Sequence, residues 1–353
     1  MPVSVVVGGQ FGSEGKGKVA HFLAKERHAR FAIRVGGTNS GHTVIDQSGS
    51  AVIFRHLPTA CLLPTVVSVI PPGNNLHVPT LLGEIHRIGA EPQRIAVDPY
   101  AWVIQDVDVQ AELKSGLQGA IGSTATGTGA ALVRRIQRSA SDSFAKDIPA
   151  LQPYLRDTTE LLTHALREQQ RVVLEGTQGF GLSLLHSRLH PYCTSRDTTA
   201  AGFVSEAGLS PLDVDEVVLV IRTFPIRVAG ASGPLPGEID WATVTTESGY
   251  STQLVEYTSV TNRVRRVARF DPEIVRRAIA HNRPTCIALN HLDYIDASCA
   301  SERHLTQEAL DFVGTIEVRI DARLSLLGSG PASLTWRDMQ IKKNKQRKTL
   351  TPF

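Results

Sequence analysis

The residues most able to do chemistry open the chain. Gly8-Gly9-Gln10-Phe11-Gly12-Ser13-Glu14-Gly15-Lys16-Gly17-Lys18 follows a β-branched run and precedes a helical pattern. In that setting the backbone N–H groups of a glycine-rich turn face an anion, and the helix adds its positive end. Lys16 supplies a charge for a phosphate. Two familiar phosphate loops are excluded. P-loop spacing requires glycine at position 10 and a hydroxyl residue after the lysine, but Gln10 and Gly17 stand there. The dinucleotide fingerprint fails because the glycines run Gly12-x-x-Gly15-x-Gly17. Taken alone, the loop also reads as a tight strand–helix turn with surface lysines.

Four further clusters bear on that choice. Gly36-Gly37-Thr38-Asn39-Ser40-Gly41-His42-Thr43 sets a histidine among glycines and hydroxyls. A core histidine is poorly placed there, whereas a cation or N–H donor could stabilise a transferring phosphoryl group. Leu174-Glu175-Gly176-Thr177-Gln178-Gly179 offers the Gln178 amide to an oxyanion. Thr258-Ser259-Val260-Thr261-Asn262-Arg263-Val264-Arg265-Arg266 suits small carboxylates, which guanidinium groups bind bidentately. Its β-branched residues argue for a loop or strand rather than a helix. Asn290-His291-Leu292-Asp293 ends an apolar run and carries the Asn-x-x-Asp spacing with which GTP-binding proteins read guanine.

Positioning these clusters requires alternating strands and helices. Apolar runs at Val3–Val7, Phe31–Val35, Val66–Ile70, Arg94–Val97, Val172–Leu174, Glu216–Ile221 and Thr285–Leu289 read as buried strands. Helical patterns cover Lys18–Arg27, Pro79–Ile88, Leu155–Glu168 and Pro272–His281. The expected fold is α/β, a large, mostly parallel central sheet with helices on both faces. A single domain over residues 1–353 is expected, with a basic tail from about 341. The stretches Ala229–Gly237 and Thr243–Thr261 read as functional loops.

Bulk numbers narrow the partners. At 353 residues and 42% apolar, the chain can fill a sizeable core. A net charge of +3 does not advertise nucleic acid but suits phosphate-bearing small molecules. Cys61, Cys193, Cys286 and Cys299 lack CxxC spacing, so reduced thiols are expected rather than a zinc site or disulfides. No apolar run approaches the roughly 18 residues of a membrane span, and residues 1–7 are too short for a signal peptide. A soluble cytoplasmic protein is expected, in the host cytoplasm if the source is viral.

In their order along the chain, Gly8–Lys18, Gly36–Thr43, Gly122–Gly129, Glu175–Gly179, Pro191–Thr199, Val255–Arg266 and Leu292–Asp293 resemble adenylosuccinate synthetase, over Val5 to about Pro331. The compact length looks like the short archaeal and viral branch. The resemblance implies the family's P-loop-related nucleotide-binding fold and its reaction. The γ-phosphoryl of a nucleoside triphosphate passes to the purine 6-oxygen, and the amino group of L-aspartate then displaces that phosphate. It further implies that Ser13, Lys16, His42 and Gln178 are catalytic. Gly12, Glu14, Gly15, Lys16, Gly17, Gly41, His42, Thr43, Asp293, Ser329 and Gly330 would hold the triphosphate. Ser13, Asn39, Ser123, Thr124, Gln178 and Thr194 would hold the purine nucleotide, with Arg138 reaching in from a second subunit of a homodimer. Thr261, Arg263 and Arg265 would bind aspartate, and Ser13 and Gly41 would contact Mg²⁺.

Several positions depart from the family pattern. Ser13 replaces the aspartate that serves as base and metal ligand. Serine is a poor base at neutral pH and a weaker metal ligand. That change resembles viral relatives that make 2-aminoadenylosuccinate from dGMP, since a shorter side chain leaves room at purine C2. Ala125 replaces a glycine, Asn262 stands where the family has glycine, and His291 replaces the lysine that stacks on guanine. The resemblance therefore implies a dGMP-type substrate with ATP, dATP or GTP as donor. An IMP-using synthetase and a non-catalytic nucleotide-binding paralogue are the alternatives.

Overall fold

A computed structural model describes residues 2–138, 144–258, 262–300 and 305–339. The basic tail from about 341 lies outside them. Nine strands form the main sheet among the described residues: β1 Val3–Gly8, β2 Phe31–Arg34, β3 Val67–Ile70, β4 Ile95–Val97, β5 Val172–Glu175, β6 Val214–Arg222, β7 Cys286–Asn290, β8 Leu326–Leu327 and β9 Thr335–Trp336. Their spatial order is β9-β8-β7-β6-β1-β5-β2-β3-β4, and all pairs are parallel except β8 with β9. The seven expected strands are all present. The other two, β8 and the edge strand β9, have two residues each, too short to show a hydrophobic period.

Both faces of the sheet are covered, as unbroken apolar strands require. Val5, Val7, Ile33, Leu174, Leu219, Ile221 and Leu289 pack on one side with Phe203, Val275 and Ile316 from three helices. Val6, Val173, Val218, Val220 and Ala288 face the other way onto Val19, Ala20 and Leu23 of α1, Lys16–Glu26. All six residues of β1 are buried. The chain leaves β1 for β2, β3 and β4 on one side. It then returns to insert β5 beside β1 and goes on to β6 and β7 on the other side. Such a reversal opens a crevice at the carboxyl ends of the strands.

One expected loop is partly helical. Within Thr243–Thr261, residues up to Ser248 belong to the helix Trp241–Ser248. Asp240 caps it by accepting from the Thr243 N–H at 2.7 Å. Trp241 and Val244 are its buried face, three residues apart. The threonines that suggested a loop turn their hydroxyls back onto the helix, Thr245 to the Trp241 carbonyl and Thr246 to that of Ala242. All four cysteines are free thiols. No described helix is long and apolar enough to cross a membrane.

Candidate active site

Five of the segments leave the carboxyl end of a sheet strand: residues 8–18 after β1, 36–43 after β2, 176–179 after β5, 291–293 after β7 and 328–330 after β8. They border one cavity of about 610 Å³.

The first loop folds around its own glutamate. Glu14 is fully buried, and its carboxylate accepts from the Gln10 N–H at 3.1 Å, the Gly12 N–H at 2.8 Å and Lys16 Nζ at 2.7 Å. Glu14 therefore shapes the loop and does not line the cavity, whereas Gly12, Ser13, Gly15, Lys16 and Gly17 do. Gly15 starts α1 at φ 88°, and a Cβ there would lie 2.7 Å from Asn290 Nδ2. That amide donates to the Glu14 carbonyl at 2.8 Å, so Asn290 ties β7 to the loop. Ser13 and Gln178 both adopt positive φ, 57° and 62°, and both line the cavity.

His42, Thr43 and Gly41 border the same space. The imidazole is held from behind by Glu175, whose Oε1 lies 2.5 Å from His42 Nδ1. The Glu175 carboxylate also accepts from Thr59 N–H at 2.8 Å, Thr59 Oγ1 at 2.7 Å and the buried Arg34 at 3.3 Å. Burial, reinforced by the Arg34 charge, pushes the imidazole pKa down to about 4. Burial alone would raise the Glu175 carboxyl, but His42, Arg34 and Thr59 outweigh it and hold it at about 2. The pair is thus a neutral imidazole donating Nδ1–H to a carboxylate, with Nε2 left as an acceptor.

Opposite lies a wall of hydroxyls. Asn39 Nδ2 is 3.5 Å from Thr194 Oγ1, and Thr124, Thr126 and Thr128 form a chain of hydroxyl contacts at 3.3 Å. Ser123 lines the wall and bonds the Ala125 N–H at 3.2 Å. Ala125, standing in a glycine's place, takes φ 50°. Glu112, which has no motif around it, accepts from the N–H groups of Gly127, Gly129 and Ala130 and so anchors the helix Thr128–Ile136. Arg138, just past that helix, is exposed and does not line its own chain's cavity.

At the far side, Arg263 and Arg265 border the cavity, while Arg266 turns away to Glu238 and the Gly233 carbonyl. Asn262 turns the chain before them at φ 49°, and Thr261 lies outside the described residues. Glu256 completes this side with the buried Arg222 behind it; Glu256 lies within the segment Val255–Arg266, although its residue type alone suggests no role, and no motif marks Arg222. Asp293 and Ser329 lie behind the cavity wall, and Gly330 lines it. The Asp293 carboxylate accepts from Tyr250 Oη at 2.9 Å and from the Gly330 N–H at 2.7 Å. Lys18 holds the same segment through the Gly330 carbonyl at 3.0 Å. Burial lowers the Lys18 pKa to about 8 against the pull of Asp293.

This arrangement can cradle anionic oxygens on backbone N–H groups, Lys16 and His42, and present Gln178 and two guanidinium groups to a second reactant. Comparison with known proteins agrees. The family model for adenylosuccinate synthetase matches residues 5–146 and 140–299. The adenylosuccinate synthetase of Pyrococcus horikoshii is 35% identical over 338 residues, covering 94% of this chain and 96% of that protein. That of Thermococcus onnurineus is 36% identical over 342 residues, with 94% and 96% covered. Among solved structures, the succinoaminodeoxyadenylate synthetase of cyanophage S-2L, bound to dGMP and to dATP as an energy donor, superposes with a TM-score of 0.81. It is 28% identical, and the match covers 98% of this chain and 99% of that one. The fully ligated adenylosuccinate synthetase of Plasmodium falciparum shares the fold at a TM-score of 0.80 and 19% identity, covering 96% and 100%. With most of its length matched by sequence and by structure, this chain belongs to the adenylosuccinate synthetase family of ligases.

Proposed function

We propose that this chain joins L-aspartate to C6 of a 2-aminopurine nucleotide, with dGMP as substrate and ATP or dATP as phosphoryl donor. The observation that carries the reading is Ser13, a hydroxymethyl in the left-handed region beside Gln178, where the family keeps a carboxylate. The shorter side chain leaves space next to purine C2 for an amino group. The cyanophage structure, solved with dGMP and dATP, supports the same substrates here.

In this reading Lys16, His42 and the N–H groups of Ser13 to Gly17 hold the triphosphate, with Gly12, whose N–H goes to Glu14, lining the space and Gly41, Thr43, Ser329 and Gly330 at its edge. Gln178 donates to the 6-oxygen. Asn39, Ser123, Thr124 and Thr194 hold the 5′-phosphate, and Arg138, turned away from its own cavity, serves a second copy in a homodimer. The 6-oxygen attacks the γ-phosphorus as N1 gives up its proton to water, releasing a nucleoside diphosphate. The aspartate amine, held by Thr261, Arg263 and Arg265, then attacks C6 and phosphate leaves.

Ser13 and Gly41 offer only neutral oxygens to Mg²⁺, and Glu14 is committed inside the loop. No group of three or more His, Cys, Asp or Glu among the described residues could hold a metal. Those donors fit Mg²⁺ brought in on the triphosphate, as this ion is commonly bound; it supplies neutralisation of phosphate charge.

The test offers purified protein aspartate, Mg²⁺ and each triphosphate with dGMP or IMP, following phosphate release and succinylated product. Turnover of dGMP is expected, and Ser13→Asp should shift preference toward IMP by filling the space at C2. Product from IMP alone in the wild type, or an unchanged preference in the variant, would refute the reading. Tight nucleotide binding with no turnover in any combination would instead identify a non-catalytic binding protein.

A further inference from the structure

Glu256 borders the cavity between two guanidinium groups that face different tasks. Its Oε2 accepts from Arg265 NH1 at 2.7 Å. The same carboxylate is clasped by both terminal nitrogens of Arg222, NH1 at 3.2 Å from Oε2 and NH2 in a short bond to Oε1. Tyr294 Oη donates to Oε1 at 3.0 Å. Arg222 is fully buried, and further hydrogen bonds join it to the first glycine-rich loop. NH1 donates to the Ser13 carbonyl at 2.9 Å, and its backbone N–H and carbonyl are bonded by the Gln10 amide at 2.9 and 3.1 Å.

We propose that Glu256 is a positioning residue that fixes the aspartate-binding guanidinium of Arg265 in register with the loop carrying Ser13, using Arg222 as the connection. The inference rests on the reading that Arg265 takes a carboxylate of the substrate. The Arg265 guanidinium meets the Glu256 carboxylate through NH1, and its Nε is buried, so NH2 is the nitrogen left for an incoming carboxylate. Untethered, a long arginine side chain has rotamer freedom that binding would have to remove. One carboxylate between two guanidinium groups also leaves a net positive charge at the cavity edge, which suits a dianionic side of aspartate. Glu256 is a poor base in this place. Burial would raise its pKa, but Arg222 foremost, then His291 and Arg265, hold it well below the usual carboxylate range.

Two effects oppose each other when the carboxylate is removed. A freed Arg265 gains attraction for aspartate but loses its fixed direction, while Arg222 keeps its own bonds to the Ser13 carbonyl and to Gln10 and so leaves the nucleotide loop in place. The connection predicts that geometry wins.

The experiment measures aspartate-dependent phosphate release with whichever of dGMP or IMP the wild type turns over, for Glu256→Gln and Glu256→Asp. Glu256→Gln should raise KM for aspartate at least tenfold while the KM values of both nucleotides stay within threefold. Glu256→Asp keeps the charge but cannot span both guanidinium groups, and should raise the aspartate KM at least threefold. Should the glutamine variant melt too low to assay, the aspartate variant alone decides. An aspartate KM that is unchanged or lowered overturns the proposal, as does an equal rise in all three KM values. A wild type without turnover fails the functional reading instead. Calorimetric aspartate binding then gives the same comparison, and no binding by the wild type overturns both.

Discussion

Replacing Glu175 by glutamine should separate what His42 does from what holds it there. The carboxylate is 1% exposed and satisfies four donors: Thr59 N–H and Oγ1 on Oε2, His42 Nδ1 and Arg34 NH1 on Oε1. Glutamine has the shape but only one acceptor oxygen. The Thr59 N–H is fixed by the backbone and will claim that oxygen, so the new amide donors face Arg34 and His42. Removing one partner of a buried ion pair costs about 3–5 kcal/mol. At about 2 cal/mol/K of unfolding entropy per residue over this length, each kcal/mol is about 1.3 °C, so the melting temperature should fall by about 4–7 °C. At His42 the consequence is chemical. Facing an amide N–H, Nδ1 becomes an acceptor and Nε2 carries the only proton, while the carboxylate that would stabilise the imidazolium is gone. If the cationic ring stabilises the transferring phosphoryl group, kcat should drop at least about 100-fold with triphosphate KM changed far less. Differential scanning calorimetry and single-turnover phosphate transfer measure the two parts. A melting temperature within about a degree of wild type would refute the buried hub, and an intact kcat would refute a role for the imidazolium.

The remaining expectations concern charge and the donor base. Because His42 is held neutral with a pKa of about 4, its contribution to stability is complete above about 6.5 and is lost as the pH falls toward 4; that of Glu175 is lost from about 4.5 down to 2. His42→Asn should therefore flatten the upper part of the acid-unfolding curve, and an unchanged slope between pH 6.5 and 4 would contradict the assignment. Binding an anionic triphosphate should draw a proton onto Nε2. Calorimetry at pH 7 in buffers of differing ionisation enthalpy should show uptake approaching one proton, absent in His42→Asn. At the base of the site, Tyr250 Oη occupies Asp293 Oδ2 at 2.9 Å, the carboxylate that would otherwise read guanine. Tyr250→Phe should shift the kcat/KM ratio toward GTP over ATP by about tenfold, the worth of one hydrogen bond near 1.4 kcal/mol; a ratio within twofold of wild type would rule out that competition.

The parts of the molecule that the sequence makes legible are those whose signal is local. β1 announces itself as Val3–Val7 running into glycine, and the other long strands likewise, because a strand buried on both faces must be apolar throughout. The loops could be read from residue type, since few side chains other than glycine tolerate the φ of 88° at Gly15 against Asn290. Asn262 was legible for the same reason, and its φ of 49° keeps the turn that a glycine would make. Ala125 shows the limit: nothing in alanine predicts the φ of 50° that its surroundings impose on it.

What stayed hidden is held together across the chain. Glu14 carries the sign of a phosphate-site residue in a list of letters, yet a carboxylate placed two to four residues from free N–H groups is better used closing its own loop. Glu175 reaches His42, Thr59 and Arg34 from over a hundred residues away, and Glu256 joins Arg265 to Arg222 at the end of β6. Neither glutamate touches a substrate in the proposed scheme, so no spacing rule for catalysis could single them out. Their common feature is physical: Glu175 is buried and Glu256 half-buried, and each carboxylate is held by several cationic or polar donors, one of which faces the cavity. A site that must hold a histidine and an arginine ready for anionic ligands needs such internal anions to fix their direction and to balance the charges of Arg34, Arg222 and Arg265. On that argument, the two glutamates are as much a requirement of the chemistry as the glycines that advertise it.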